Sequence, residues 1–363
     1  MKIININDFT KHTKNSITKK ALKFHNLTNA YINSHLHSTP AFIRIIPTDR
    51  CNLNCRYCWQ KNDDSKDMTF NNFCNYLDKA KSLNAGMITF LGGEPMIWKP
   101  IYNAVSLCSE KNILTDLTTN GTLLNQETIE RFGKAGLDYL NISVDVVNKS
   151  QISSKNSIFN NNLVNYLKDA KAKYGMHFRL NSVICNNNFD DIKRILEFVK
   201  LNDIQISLGY VVPPLNNSHS KSQSIYFGKE DTRLLNKIIS YILEKKRDGY
   251  PVIDPDSYFT NIFRFFNHEK FWDCNYPTRY GWINVTTNGK IRSCTKKMDE
   301  LDFNFLDLNP ENLKKLRSIF KDKVKKCNTT CYSNCAYNSY YYTHNKFKML
   351  KKSLGRFNFQ MAA

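Results

Sequence analysis

The chain has 363 residues, enough for one large domain and a smaller one. Its 41% hydrophobic and 13% aromatic content supports a packed core, and no apolar run approaches the roughly eighteen residues that span a bilayer. The net charge is +20, from 52 Lys and Arg against 32 Asp and Glu, yet no nucleic-acid-binding motif accompanies it.

The N-terminal stretch has no apolar secretion segment, so a reducing cytoplasm is the expected location. Eleven cysteines there point to metal or redox work before disulfides. Charge gathers from Lys314 to Lys326, where seven basic residues face only Asp322, and in a tail with Lys346, Lys348, Lys351, Lys352 and Arg356. A phosphorylated substrate, an acidic peptide or an acidic electron-transfer protein would suit such a surface. A Lys- and Asn-rich bias spread over solvated faces is the simpler account.

Helix-like apolar spacing through Ile17, Ala21, Leu22, Phe24, Leu27, Ala30 and Tyr31 predicts a leading helix over 17–34. Strand-like and helix-like segments then alternate. Strands are predicted at Phe42–Ile46, Met87–Leu91, Ile113–Leu117, Tyr139–Val144, His177–Ile184 and Ile204–Tyr210. Between them, Asn72–Leu83, Gln126–Ala135, Asn161–Lys173 and Asp190–Lys200 read as helices. Six repeats argue an α/β fold, a parallel sheet with helices outside it. The pattern breaks at Pro213-Pro214, and a helix around Lys229–Arg247 follows. We therefore assign 1–40 to an N-terminal helical segment, 41–212 to the main unit, 213–249 to a linker and helix, and 250–363 to a second unit.

Cys51-Asn-Leu-Asn-Cys55-Arg-Tyr-Cys58 follows the first predicted strand. Three thiolates on one tight loop can hold three irons of a four-iron, four-sulfur cube and leave the fourth iron open. Fully ligated clusters use four cysteines, and the next one here is Cys74, sixteen residues on. Structural zinc would want a second cysteine pair nearby. The triplet matches C-x3-C-x-aromatic-C, with Tyr57 at the aromatic position, and so resembles the signature of radical S-adenosylmethionine (SAM) enzymes. That resemblance implies a partial (β/α)6 TIM-like barrel and a 4Fe–4S cluster whose open iron chelates SAM. It also implies reductive cleavage of SAM to a 5′-deoxyadenosyl radical that takes hydrogen from a substrate. A flavodoxin- or ferredoxin-type electron donor is the implied partner.

Gly92-Gly93-Glu94-Pro95 follows the second strand. Two glycines let a backbone approach a ligand, and the carboxylate can accept from an ammonium. The run resembles the family's GGE motif, which holds the amino group of SAM. Thr118-Thr119-Asn120-Gly121 ends the third strand, Ser143 and Asp145 end the fourth, Asn181 lies in the fifth, and Leu208 and Tyr210 lie in the sixth. Strand C-termini form the functional mouth of such barrels. The resemblance implies SAM contacts at Tyr57, Asn120, Ser143, Asp145, Asn181, Leu208 and Tyr210. Ordinary turn chemistry is the competing account.

The second unit holds Cys274, Cys294, Cys327, Cys331 and Cys335. Trp282–Thr286, Asn288-Gly289 and Lys290–Ser293 predict a β-hairpin that ends on Cys294. The spacing C-x14-G-x4-C resembles the opening of the SPASM/twitch extension, a cysteine-rich α+β unit that binds auxiliary iron–sulfur clusters. The full SPASM pattern has seven cysteines, so five imply one auxiliary 4Fe–4S cluster, with four ligands if it is fully coordinated. Structural zinc is the alternative. Cys74, Cys108 and Cys185 lie in helix- or strand-like segments and read as core cysteines. The run Tyr337, Tyr340, Tyr341 and Tyr342 reads as packing.

The expected activity is therefore radical SAM hydrogen abstraction in peptide (RiPP) modification. Fifty residues precede Cys51, short for the separate peptide-recognition domain that many such members carry. Dehydrogenation or rearrangement of a small anionic molecule, such as a sugar, aminocyclitol or nucleotide, is the alternative. A non-enzymatic iron–sulfur or zinc protein that binds nucleic acid is disfavoured by the GGE run and the strand–helix repeat. No catalytic side chain beyond the cluster is assignable from the sequence.

Overall fold

The computed structural model describes residues 6–345 except 37–38, 161, 212–224, 268, 270–271, 273, 275–281, 295–298 and 328–331. Six parallel strands run in chain order: β1 (Phe42–Ile45), β2 (Met87–Phe90), β3 (Leu114–Thr119), β4 (Tyr139–Ser143), β5 (His177–Ile184) and β6 (Ile206–Tyr210). Each neighbouring pair is joined by a crossover, with α2 (Phe70–Ser82), α3 (Ile101–Glu110), α4 (Gln126–Ala135), α5 (Leu163–Tyr174) and α6 (Phe189–Asn202) between them. A long α1 (Ile6–Leu36) precedes them. The sheet is unclosed, so the α/β expectation of a partial barrel holds.

The helices form where the local chemistry directs. Asn125 and Thr128 make a reciprocal capping box at the start of α4, and Thr69 caps α2 by accepting from Asn72 N–H. Their apolar sides pack on one sheet face, where Ile43, Ile88, Leu117, Leu140, Leu180 and Ile206 join a single core. α1 is fastened by a buried ion pair, with Lys23 Nζ 2.8 Å from Asp138 Oδ2. Asp138 also accepts from Thr115 N–H, which ties α1 to the starts of β3 and β4.

The C-terminal third does not stand apart from this sheet. After α7 (Thr232–Arg247), α8 (Asp256–Thr260) and α9 (Ile262–Phe266), strand β7 (Trp282–Val285) pairs parallel to the outer side of β1. β8 (Lys290–Cys294) and β9 (Asp299–Asn304) continue the sheet antiparallel. The β7–β8 hairpin turns at Asn288-Gly289, as predicted, with Gly289 at φ +82°. α10 (Pro310–Lys325) and α11 (Asn334–His344) complete the described chain.

The same segment also covers the opposite edge. Ile206 N–H donates to Pro251 O, and Leu208 N–H donates to Asp254 Oδ2 at 2.6 Å. Asn334 donates to Leu208 O at 2.8 Å, and Tyr210 N–H donates to the Tyr258 hydroxyl. A free strand edge is thereby satisfied largely by side chains. Tyr258 stacks on Tyr332 at 5.0 Å, and Tyr337 joins that aromatic group, consistent with its reading as packing. Among the described residues, no helix is long and apolar enough to cross a membrane.

Candidate active site

The cysteine loop leaves the C-terminal end of β1 and is closed by its own bonds. Met68 N–H donates to Pro47 O, and Arg50 forks onto Asp67 with Nε 2.9 Å from Oδ1 and Nη2 2.5 Å from Oδ2. Cys51 and Cys58 are half-buried, Cys55 is buried, and all three are free thiols. Leu53 N–H lies 3.4 Å from Cys51 Sγ, and Asn120 Nδ2 lies 3.8 Å from it. Ser153 Oγ is 3.5 Å from Cys55 Sγ. Burial pushes the Cys51 thiol up, so holding it as a thiolate calls for a metal or another cation beside it.

The β2 loop presses on the base of this loop. Gly93 N–H donates to Thr48 O at 3.0 Å, and Glu94 N–H to Arg50 O at 2.9 Å. A Cβ on Gly93 would lie 2.0 Å from Arg50 O, and one on Gly92 would lie 2.4 Å from Thr48 O. The backbone that these glycines admit is thus the chain's own, where the sequence suggested a ligand. Glu94 is 1% exposed and accepts from Thr119 Oγ1 at 2.7 Å, Met96 N–H at 3.0 Å and Asn120 N–H at 2.7 Å. Burial pushes its carboxyl up while those bonds oppose the shift. Its carboxylate fixes the β3 end against the β2 end. Asn120 in turn donates to Asn52 Oδ1 at 2.8 Å, linking the β3 end to the cysteine loop.

Asp145 is 1% exposed, and its carboxylate is taken up by protein donors. Oδ2 accepts from Tyr57 and from Ser153, and Oδ1 accepts from Val183 N–H. Tyr57 accordingly points inward, and Asp145 holds the loop from behind without facing a ligand. Lys155 Nζ donates to the Tyr57 hydroxyl at 2.9 Å. Burial works to lower the Lys155 pKa, but Asp145 and the cysteine thiolates raise it above the usual lysine value. Cys185 is buried as expected, yet it packs with Cys55 and Tyr57 in a small cluster behind the loop.

Strand register sorts the remaining positions. Ser143, Asn181 and Ser207 are paired across β4, β5 and β6, so they share one sheet face, and each is half-buried. Leu208 and Tyr210 fall on the other face, 0% and 4% exposed within the helix-facing core. The expectation of a ligand contact there is corrected, because Ser207 and Gly209 occupy the face of Asn181. One layer deeper, Asp116 accepts from Asn141, and Asn141 accepts from Arg179 Nε. Sequence reasoning missed this polar row, as well as Ser153 and Lys155. Asp116 and Arg179, charged residues inside predicted strands, were the available signal for that row.

The family model of the radical SAM superfamily matches residues 45–218, from the end of β1 past the end of β6. Residues 45–218 are thus a radical SAM domain. It is 25% identical over 298 residues to a GTP 3′,8-cyclase of Clostridium botulinum strain Langeland, covering 78% of this chain and 90% of that one. It is 30% identical over 158 residues to a PqqA peptide cyclase of Granulibacter bethesdensis, covering 41% of each. Among solved structures, Streptococcus suis SuiB bound to precursor peptide SuiA gives a TM-score of 0.58 at 17% identity, over 87% of this chain and 73% of that one. Native anSMEcpe with bound AdoMet gives 0.58 at 18%, over 79% and 86%. The structural likenesses establish a common fold.

A radical SAM domain implies a 4Fe–4S cluster and SAM. The residues fit. Among the described residues, no three His, Cys, Asp or Glu side chains converge on one ion position. Three thiols spread along a loop, with a backbone N–H beside Cys51 and a hydroxyl beside Cys55, suit a cluster that distributes its metal atoms. In the C-terminal third, Cys274, Cys294 and Cys327 are half-buried. Cys331 and the side chain of Cys335 lie outside the described residues, as does the basic tail from 346.

Proposed function

We propose that this radical SAM enzyme takes a hydrogen atom from a peptide substrate. A 4Fe–4S cluster on Cys51, Cys55 and Cys58 and one auxiliary 4Fe–4S cluster on the C-terminal cysteines serve that reaction. The observation that carries the reading is convergence: the cysteine loop, Gly92-Gly93-Glu94, Asn120 and the Ser143–Asn181 face meet at one end of the parallel sheet. With the cluster and SAM bound, the site supplies a 5′-deoxyadenosyl radical, at the cost of one electron from a flavodoxin- or ferredoxin-type donor.

The chain's own residues bind, orient and exclude. Leu53 N–H and the Asn120 amide donate toward Cys51, while Asp145 locks Tyr57 and so fixes the turn between Cys55 and Cys58. Ser143 and Asn181 offer polar side chains to SAM on the mouth face. Ile152, Val211 and Ile225 close the back of the loop to water. Arg179, held by Asn141, offers its terminal nitrogens to a carboxylate or phosphate of the substrate. Peptide chemistry is favoured by the likeness to SuiB in its peptide-bound form and by the local similarity to PqqA peptide cyclase.

A nucleotide is the second reading, favoured by similarity to the GTP 3′,8-cyclase over 90% of that protein's length. Comparative mass spectrometry with SAM and dithionite decides between them. Reconstituted protein is expected to bind about eight irons, four per cluster, and to form 5′-deoxyadenosine. A mass change in a candidate peptide and none in GTP supports the first reading, and the reverse supports the second. Protein that binds only zinc and leaves SAM intact overturns both.

A further inference from the structure

Lys155 has no role in the reading above. It sits in the loop after β4, which wraps behind the cysteine loop: Arg56 N–H donates to Ile152 O at 3.1 Å, and Ser153 touches Cys55. The Lys155 side chain is four-fifths buried, at 20% exposure. Its ammonium donates to Tyr57 at 2.9 Å, lies 5.1 Å from the centre of that ring and stands 3.7 Å from Asp145 Oδ2. The same charge acts on all three thiolates and on Glu94. Asp145 carries the opposing charge, and the neutral donors Tyr57, Ser153 and Val183 N–H hold its carboxylate in place without cancelling it.

We propose that Lys155 is the residue that raises the reduction potential of the iron–sulfur cluster on Cys51, Cys55 and Cys58. The inference rests on reading that loop as the cluster site. Reduction adds one electron, from a low-potential one-electron donor such as dithionite, and no bond to the protein changes. A thiolate-ligated cluster gains negative charge in that step. A fixed ammonium therefore favours the reduced form, and cluster potentials follow net charge, hydrogen bonds to sulfur and exposure. The geometry also makes Ser153 a restrained partner. Its single proton goes to Asp145 at 3.0 Å or toward Cys55, so it adds less to the sulfur than the lysine charge does.

The test is a redox titration of the reconstituted full chain followed by electron paramagnetic resonance. Failure of the wild-type protein to bind iron would end the cluster reading before any variant is compared. With the cluster loaded, Lys155→Met lowers the midpoint by a tenfold change in the reduction equilibrium, about 59 mV for one electron. Lys155→Arg restores most of it. Tyr57→Phe, which removes the hydroxyl and keeps the charge, leaves it nearly unchanged. An unchanged midpoint in Lys155→Met at normal iron and sulfide content overturns the proposal, as does an equal fall in Lys155→Arg. If Lys155→Met fails to hold its cluster, Asp145→Asn decides: the midpoint rises if charge governs, and an unchanged or lower midpoint overturns it.

Discussion

The two faces of the parallel sheet are built on opposite terms. One face is mainly apolar from β1 to β6 and carries the helices, so that Ile45, Phe90, Leu117, Ile142, Leu180 and Leu208 are wholly buried. The other face is polar at matching heights. Arg44, Thr89 and Asp116 are register neighbours across β1, β2 and β3, as are Asn141 and Arg179, and then Ser143, Asn181 and Ser207. Period-two alternation assigns each side chain to one of these roles. Stability is drawn from one face, and the recognition proposed above from the other, through the same backbone.

Substitutions on the two faces should therefore separate. The largest expected effect is Leu208→Ala, which leaves a cavity in the helix-facing core and costs about 2–5 kcal/mol in chemical denaturation. If Leu208 faced the ligand instead, SAM binding would fall and stability would barely change. Arg179→Met comes next. Product formation should drop about tenfold, near 1.4 kcal/mol, while 5′-deoxyadenosine formed without substrate stays level. A matching loss in both would place Arg179 with SAM. The smallest effect is Ser182→Ala on the helix-facing side. Its hydroxyl is buried with no partner among the described residues, so removal should raise the thermal midpoint slightly, by about 0.5–1 kcal/mol of stability.

The apolar face was the legible one. Apolar strand-like runs such as Met87–Leu91 marked all six strands, because the face that carries the helices needs a hydrophobic residue at nearly every second position. The cysteine triplet and Gly92-Gly93-Glu94 were legible because their spacing is local. What failed was what depends on register. Leu208 and Tyr210 sit at a strand end, but only their pairing with Ser182 and Ile184 shows which way they face. Lys155 lay hidden for a related reason, since its partners Tyr57 and Asp145 come from different loops. α3 escaped notice because Ile101–Glu110 is short and mixed, and β9 because Asp299–Asn304 alternates acids with apolar residues that half-bury it.

The pairing of β1 with β7 has a consequence for how the chain is made. Ile45 lies beside Val285, 240 positions later (285 − 45). During synthesis the first strand must wait for those intervening residues to leave the ribosome before its outer edge is paired. Contacts this distant slow folding, and a bare strand edge is a template for association with other chains. A chain halted before residue 282 would keep the whole cysteine loop and its supporting strands. It would also present an open ladder one residue from Ile46, at the root of that loop. Newly made protein is thus exposed to misassembly beside the cysteine loop.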